Sequence, residues 1–189
     1  MQDPTRRNAM PDGGPHSSAG FAPLVAKRAR VLILGSLPSQ ISLQEKEYYA
    51  NPRNAFWPIM GELFGAGPEL PYEQRVALLT RAGIAVWDVL ASSVRPGSLD
   101  AAIQPDTATA NDFAAFFERY PEITMICFNG RKARELFIRL VARTSRRQYA
   151  GMQQVLLPST SPAHASMPFA EKLRAWTVLR TAYPGLRSK

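Results

Sequence analysis

The 189-residue sequence holds one cysteine and two histidines, and that scarcity removes whole classes of site. Cys127 closes no disulfide within the chain, and it lies in the apolar run Ile123-Thr124-Met125-Ile126-Cys127-Phe128, where a thiol is a buried side chain rather than a reactive one. With only His16 and His164 to join it, zinc clusters and iron–sulfur centres have no ligand set. The sequence also lacks any apolar run near the roughly 20 residues of a membrane-spanning helix, and its N-terminus lacks the apolar stretch of a secretory signal. A cytoplasmic protein with no membrane contact is therefore expected.

What is present is a globular balance, 46% hydrophobic and 20% charged residues, in a length that closes one core but not two. The net charge is +8 and the pI about 10.1, which favours a polyanionic partner. The excess is local. Residues 131–150 carry seven Lys/Arg against one acid, and residues 1–30 five against two, while the remainder is nearly balanced. A charge run of this kind is ordinarily a solvated helix face. Arginine this poorly opposed over twenty residues also suits phosphate contact.

Residues 1–20, rich in Pro, Gly and Ser, read as a disordered leader, and residues 21–189 as a single domain. Four short apolar runs follow, at Val31 to Leu34, Ile84 to Leu90, Ile123 to Phe128 and Val155 to Leu157, each bounded by turn residues as buried strands are. Helical candidates alternate with them: 54–64, 72–82, 111–120, 131–142 and 168–183. Alternation of this kind predicts an α/β fold, a three-layer α/β/α sandwich around a short, four-stranded, mostly parallel sheet, because parallel neighbours need crossover helices. In such sheets ligands bind beyond the carboxyl ends of the strands. Those ends read Gly35-Ser36-Leu37-Pro38-Ser39, then Asp88, then Asn129-Gly130, then Pro158-Ser159-Thr160-Ser161-Pro162.

Between the first two runs lies an aromatic segment broken by proline, Tyr48-Tyr49-Ala50-Asn51-Pro52-Arg53-Asn54-Ala55-Phe56-Trp57. Together with Gly35-Ser36-Leu37-Pro38-Ser39 before it and Ser159-Thr160-Ser161-Pro162 far downstream, it resembles the uracil-DNA glycosylase superfamily, most of all its deoxyinosine (hypoxanthine) glycosylase branch. The likeness spans most of residues 31–183. Better-known branches place Asp or Asn in the first motif to hold the attacking water. Leu37 stands there in this chain and holds none.

The resemblance implies a monofunctional glycosylase that takes a deaminated base out of DNA and hydrolyses its N-glycosidic bond, working as a monomer without metal or organic cofactor. It implies Asn54 as the catalytic residue; taken alone, Asn54 reads as the N-cap of the helix opening at Phe56. It implies Tyr49 as the stacking platform for the flipped base and Asn129, with Ser36 and Leu37, as the base-binding set. Without it, Tyr49 is equally a core aromatic and Asn129 a turn residue before Gly130. Phe56 and Trp57 are expected to pack the helix on the sheet. Ser159, Thr160, Ser161 and His164, with Arg53, Arg131 and Lys132, are expected to contact DNA, where hydroxyls and cations position the backbone without reading sequence. Met167 is a wedge candidate or a loop residue packed on the core. Asp88 is expected to form an ion pair with an arginine such as Arg95. A serine hydrolase built on Ser36 or Ser39 lacks the Gly-x-Ser-x-Gly elbow. Uracil removal and noncatalytic binding of damaged DNA remain the alternatives.

Overall fold

A computed structural model describes residues 17–142 and 149–181. In chain order its strands are β1 (Ser17–Ala19), β2 (Val31–Gly35), β3 (Ile84–Asp88), β4 (Leu90–Val94), β5 (Thr109–Ala110), β6 (Met125–Asn129) and β7 (Gln153–Leu157). Its helices are α1 (Gln40–Glu45), α2 (Phe56–Phe64), α3 (Tyr72–Arg81), α4 (Phe113–Arg119), α5 (Arg131–Leu140) and α6 (Phe169–Trp176), the last followed by a 3-10 turn, Thr177–Arg180.

The four apolar runs supply a sheet of order β3-β2-β6-β7 in which every pair is parallel. A strand buried on both faces is apolar throughout, and β2, β3 and most of β6 are buried at every position. Alternation along each strand then divides the core. Leu32, Leu34, Ala85, Trp87, Ile126 and Phe128 face α4 and α5, meeting Phe113, Phe116, Phe117, Leu136 and Phe137. Val31, Ile33, Ile84, Val86, Met125 and Cys127 face the other way, against α2, α3 and Trp176 of α6. The three layers expected from the sequence are therefore formed. Burial pushes the Cys127 thiol up to about 12, and it stays protonated.

A second sheet was not anticipated. The run from Ile84 to Leu90 is two strands, because the chain turns at Val89 and β4 leaves the parallel sheet to pair antiparallel with β1 and β5. Val89 and Leu90 still donate to the carbonyls of Gly35 and Ser36, so the turn stays anchored to β2. β1 also corrects the leader boundary: Ser17–Ala19 belong to the fold, and Ser18 is buried. The rest of the expected leader, residues 1–16, lies outside the described residues, as do Arg143, Arg146 and Arg147 of the basic run. Helix α1, six residues capped by the Ser39 hydroxyl, had no apolar periodicity to announce it.

Candidate active site

The carboxyl ends of β2, β3 and β6 and the loop after β7 enclose a cavity of about 230 Å³, several times the ~30 Å³ share of one liquid water. Among its lining residues are Gly35, Ser36, Leu37, Tyr49, Asn54, Asp88, Asp100, Asn129, Ser159, Thr160, Ser161 and His164. The structure thus gathers Ser36, Leu37, Tyr49, Asn54 and Asn129 around one space, although they come from three separate stretches of chain.

Asn54 closes the turn that leads into α2. Its Oδ1 accepts from the Phe56 N–H at 3.0 Å across a two-residue turn, and Ala55 rather than Asn54 occupies the N-cap position of α2, so the residue stands one place before the cap read from it alone. That bond uses one carbonyl lone pair and holds the side chain in one orientation, with the second lone pair left. Phe56 and Trp57 below it are in the core.

Tyr49 has φ +56°, a left-handed backbone that costs a bulky residue about 1–3 kcal/mol. Its neighbours enforce it. The Tyr48 N–H donates to the Tyr72 hydroxyl, the Trp57 indole to the Tyr48 carbonyl, and the Ala50 N–H to the Ser42 hydroxyl. The Tyr49 ring stacks on Phe56 at 3.9 Å between centroids, so one of its faces is already taken by protein. Its hydroxyl is buried and has no hydrogen-bond partner among the described residues. Burial raises its pKa far above the ordinary phenol value and the Asp88 charge adds to this, while the Asn129 amide, which faces the phenol oxygen, opposes them.

Asn129 and Thr160 are bonded to each other, and the DNA contact expected of Thr160 is corrected by that pairing. The Thr160 N–H donates to Asn129 Oδ1, and Asn129 Nδ2 donates to Thr160 Oγ1, both at 2.9 Å. The Thr160 carbonyl also accepts from Ala55. Thr160 is 1% exposed, so its hydroxyl does not reach a DNA backbone; it ties the end of β6, the start of α2 and the loop after β7. Asn129 keeps one N–H and one lone pair, with its amide orientation locked by Thr160. Gly130, at φ +97°, allows this closure, since a Cβ there would stand 3.0 Å from Ser159 Cβ.

Leu37 is buried in the core and lines the cavity edge. Ser36 donates its hydroxyl to Asp100. Arg95 overturns the ion pair expected with Asp88: its buried guanidinium donates to the carbonyls of Leu37 and Pro38 and lies 4.0 Å from Asp100. Arginine has five donors in a fixed fork, and here they fasten the loop after β2 rather than neutralise the neighbouring strand. Asp88 is left 3% exposed, with Oδ2 unpartnered. Burial first, and the Asp100 charge second, raise its carboxyl to about 7, while Arg95 opposes them.

Ser159, Ser161 and His164 lie half-buried on the loop after β7, and its base is fastened by Lys172 of α6, which donates to the His164 carbonyl at 2.8 Å. Met167 is half-buried outside the cavity lining. Arg53 is exposed beside Asn54, and Arg131 and Lys132 open α5 directly after Asn129-Gly130. The sequence reading missed Asp100, Ser98 and Leu99 as lining residues. They come from the segment between β4 and β5, and only the unforeseen second sheet carries them to the cavity.

The uracil DNA glycosylase superfamily model matches residues 22–180. A hypoxanthine DNA glycosylase of Methanosarcina acetivorans is 36% identical over 146 residues, which cover 77% of this chain and 87% of that protein. One of Methanosarcina barkeri is 33% identical over 117 residues, covering 61% and 73%. The solution NMR structure of a candidate uracil DNA glycosylase from Methanosarcina acetivorans superposes with a TM-score of 0.70 at 32% identity, covering 87% of this chain and 99% of that one. Matched by sequence and by fold across the segments that build the cavity, the chain belongs to the uracil DNA glycosylase superfamily.

Proposed function

We propose that this chain draws a deaminated base out of duplex DNA and hydrolyses its N-glycosidic bond, hypoxanthine ahead of uracil, leaving an abasic site for base excision repair. The observation that carries this reading is the cavity at the strand ends, which brings polar and apolar side chains together, with Asn54 held in one orientation at its side by the Phe56 N–H. The glycosidic bond of a base stacked in a duplex cannot be presented to a cavity at the strand ends, so the reaction requires extrusion. The names of both Methanosarcina relatives support hypoxanthine as the first base.

Asn54 is a neutral amide with almost no proton affinity, so it does not act as a strong base. Its remaining carbonyl lone pair orients a water toward C1′ while the sugar gains oxocarbenium character. With Leu37 in the first motif, no carboxylate of that motif activates the water. The barrier is then lowered chiefly by hydrogen-bond donors set around the departing base. The cationic Arg53, Arg131 and Lys132 supply the phosphate contacts that hold the duplex.

Labelled duplexes containing one deoxyinosine or one deoxyuridine, incubated with the protein and treated with hot alkali, test the reading. Strand scission at deoxyinosine first, and its absence with undamaged duplex, is expected. Intact strands with both lesions, despite tight binding, would instead identify a noncatalytic damage-binding protein.

A further inference from the structure

Two buried polar atoms of the cavity, Asp88 Oδ2 and the Tyr49 hydroxyl, make no hydrogen bond of good geometry among the described residues; the Asn129 amide faces the phenol oxygen and leaves its O–H free to donate. The Asp88 carboxyl, through its other oxygen Oδ1, and the Tyr49 hydroxyl flank the same glycine. Asp88 ends β3 in register with Gly35 of β2, and a Cβ on Gly35 would stand 2.4 Å from Asp88 Oδ1 and 3.2 Å from the Tyr49 hydroxyl. The missing side chain on β2 therefore makes the room in which carboxyl and phenol lie side by side. The left-handed backbone at Tyr49 aims the phenol there. Buried polar groups are almost always satisfied, and two neighbours left open in one cavity await a ligand.

We propose that Asp88, as an un-ionised carboxylic acid, and the Tyr49 hydroxyl form a two-donor cradle on the cavity floor that holds the extruded base as negative charge develops on it. This rests on the glycosylase reading and adds to it the groups that stabilise the leaving base. The C1′–N bond breaks with its electron pair passing to the base. Water gives its hydroxyl to C1′ and its proton to the base, so Asp88 and Tyr49 keep their protons and only their hydrogen bonds strengthen. An ionised carboxylate at this position would repel the same charge.

The surroundings favour the acid form. Facing Asp88 are Tyr48 and Tyr49 from the segment before α2, Asp100 from the segment after β4, and Arg95 of that segment, whose guanidinium is turned to Leu37, Pro38 and Asp100. β2 presents only Gly35. Burial and Asp100 raise the Asp88 carboxyl to about 7, so a bound base with growing negative charge retains the proton at neutral pH.

Single-turnover excision from a deoxyinosine duplex, followed between about pH 5 and pH 9, tests the cradle. The wild-type rate is expected to fall as pH rises through about 7. Asp88→Asn keeps a donor and cannot ionise; it should hold within about tenfold of wild type at pH 6, the worth of one neutral hydrogen bond, with a flat profile. Asp88→Ala should lower the rate by about 10²–10³-fold, the loss typical of one such donor. A wild-type rate that climbs with pH over this range, together with an Asp88→Asn protein inactive throughout, overturns the cradle and makes Asp88 a working carboxylate. If wild type cuts neither deoxyinosine nor deoxyuridine, the proposed function fails by itself, and binding of free hypoxanthine still decides on Asp88. Binding tighter at pH 5.5 than at pH 8, with the difference lost in Asp88→Asn, sustains the cradle. Equal affinity at both pH values in wild type refutes it.

Discussion

On the side of the cavity formed by β6 and the loop after β7, Asn129 and Thr160 exchange two bonds of 2.9 Å and the Thr160 carbonyl takes a third from Ala55. On the side formed by β2 and β3, the Asp88 and Tyr49 oxygens crowd the same glycine and are left open. The chemistry of the groups is similar, amide and hydroxyl against carboxyl and hydroxyl. The difference is where their valences go. The first side spends them inside the protein and becomes a rigid tie. The second keeps them for something that enters, and the free protein carries the loss of about 1–3 kcal/mol per unsatisfied buried group. Stability and function are thus separated across one cavity, and substitutions on the two sides should move them in opposite directions.

The largest effect is expected at Asn54, which stands where the two sides meet. Asn54→Ala should lower excision by at least about 10²-fold, through loss of water positioning. Loss of its bond to the Phe56 N–H should reduce unfolding stability by only about 1 kcal/mol in denaturant titration. A wild-type rate in this variant would remove Asn54 from the chemistry.

Next in size is the pH dependence of stability. Asp88 has a folded pKa raised above its unfolded value, so the native state binds the extra proton. Stability should fall as pH rises from about 4 to about 7, by a few kcal/mol, and level off above. Asp88→Asn should erase that slope, as read from urea midpoints across the range; a slope that survives assigns it elsewhere.

Paired deletions of single hydroxyls sharpen the contrast further. Thr160→Val leaves Asn129 Nδ2 without its acceptor, while the bond from the Thr160 N–H to Oδ1 persists, and should destabilise the fold by about 1–3 kcal/mol. Tyr49→Phe removes a hydroxyl with nothing bonded to it, and should leave thermal stability equal or slightly higher while excision slows. Equal losses of stability in the two variants would break the distinction between the sides.

The smallest effects belong to the rim cations. Arg131→Ala and Lys132→Ala should weaken damaged and undamaged duplexes alike, each reducing the slope of log affinity against log salt by about one. A change confined to the damaged duplex would place these residues at the base instead.

The four-stranded sheet was legible in the sequence because Val31 to Leu34, Ile84 to Leu90 and Ile123 to Phe128 are short, largely apolar runs bounded by turn residues, as strands buried on both faces are. The second sheet was not legible. Leu90 continues the apolar run without a turn residue to mark its departure, and two-residue β5 has no pattern at all. In the site, Asn54, Tyr49 and the loop after β7 could be marked through the family motif they share. Thr160 and Asp88 were misassigned for one physical reason: the direction of a hydrogen bond is a property of neighbours distant in the chain. A hydroxyl in Ser159-Thr160-Ser161 reads as exposed until Asn129 is seen to claim it, and an aspartate among arginines reads as paired until Arg95 is seen to turn to Leu37 and Pro38.

A duplex carrying a single 2′-fluoro-deoxyinosine, whose fluorine disfavours the oxocarbenium state and so blocks cleavage, allows the occupied cavity to be seen directly by crystallography. The hypoxanthine ring is predicted outside the helix, with its edge on Asp88 and Tyr49 and its sugar beside Asn54. A bound duplex with the lesion still stacked, or a base lodged away from these three residues, would contradict the account.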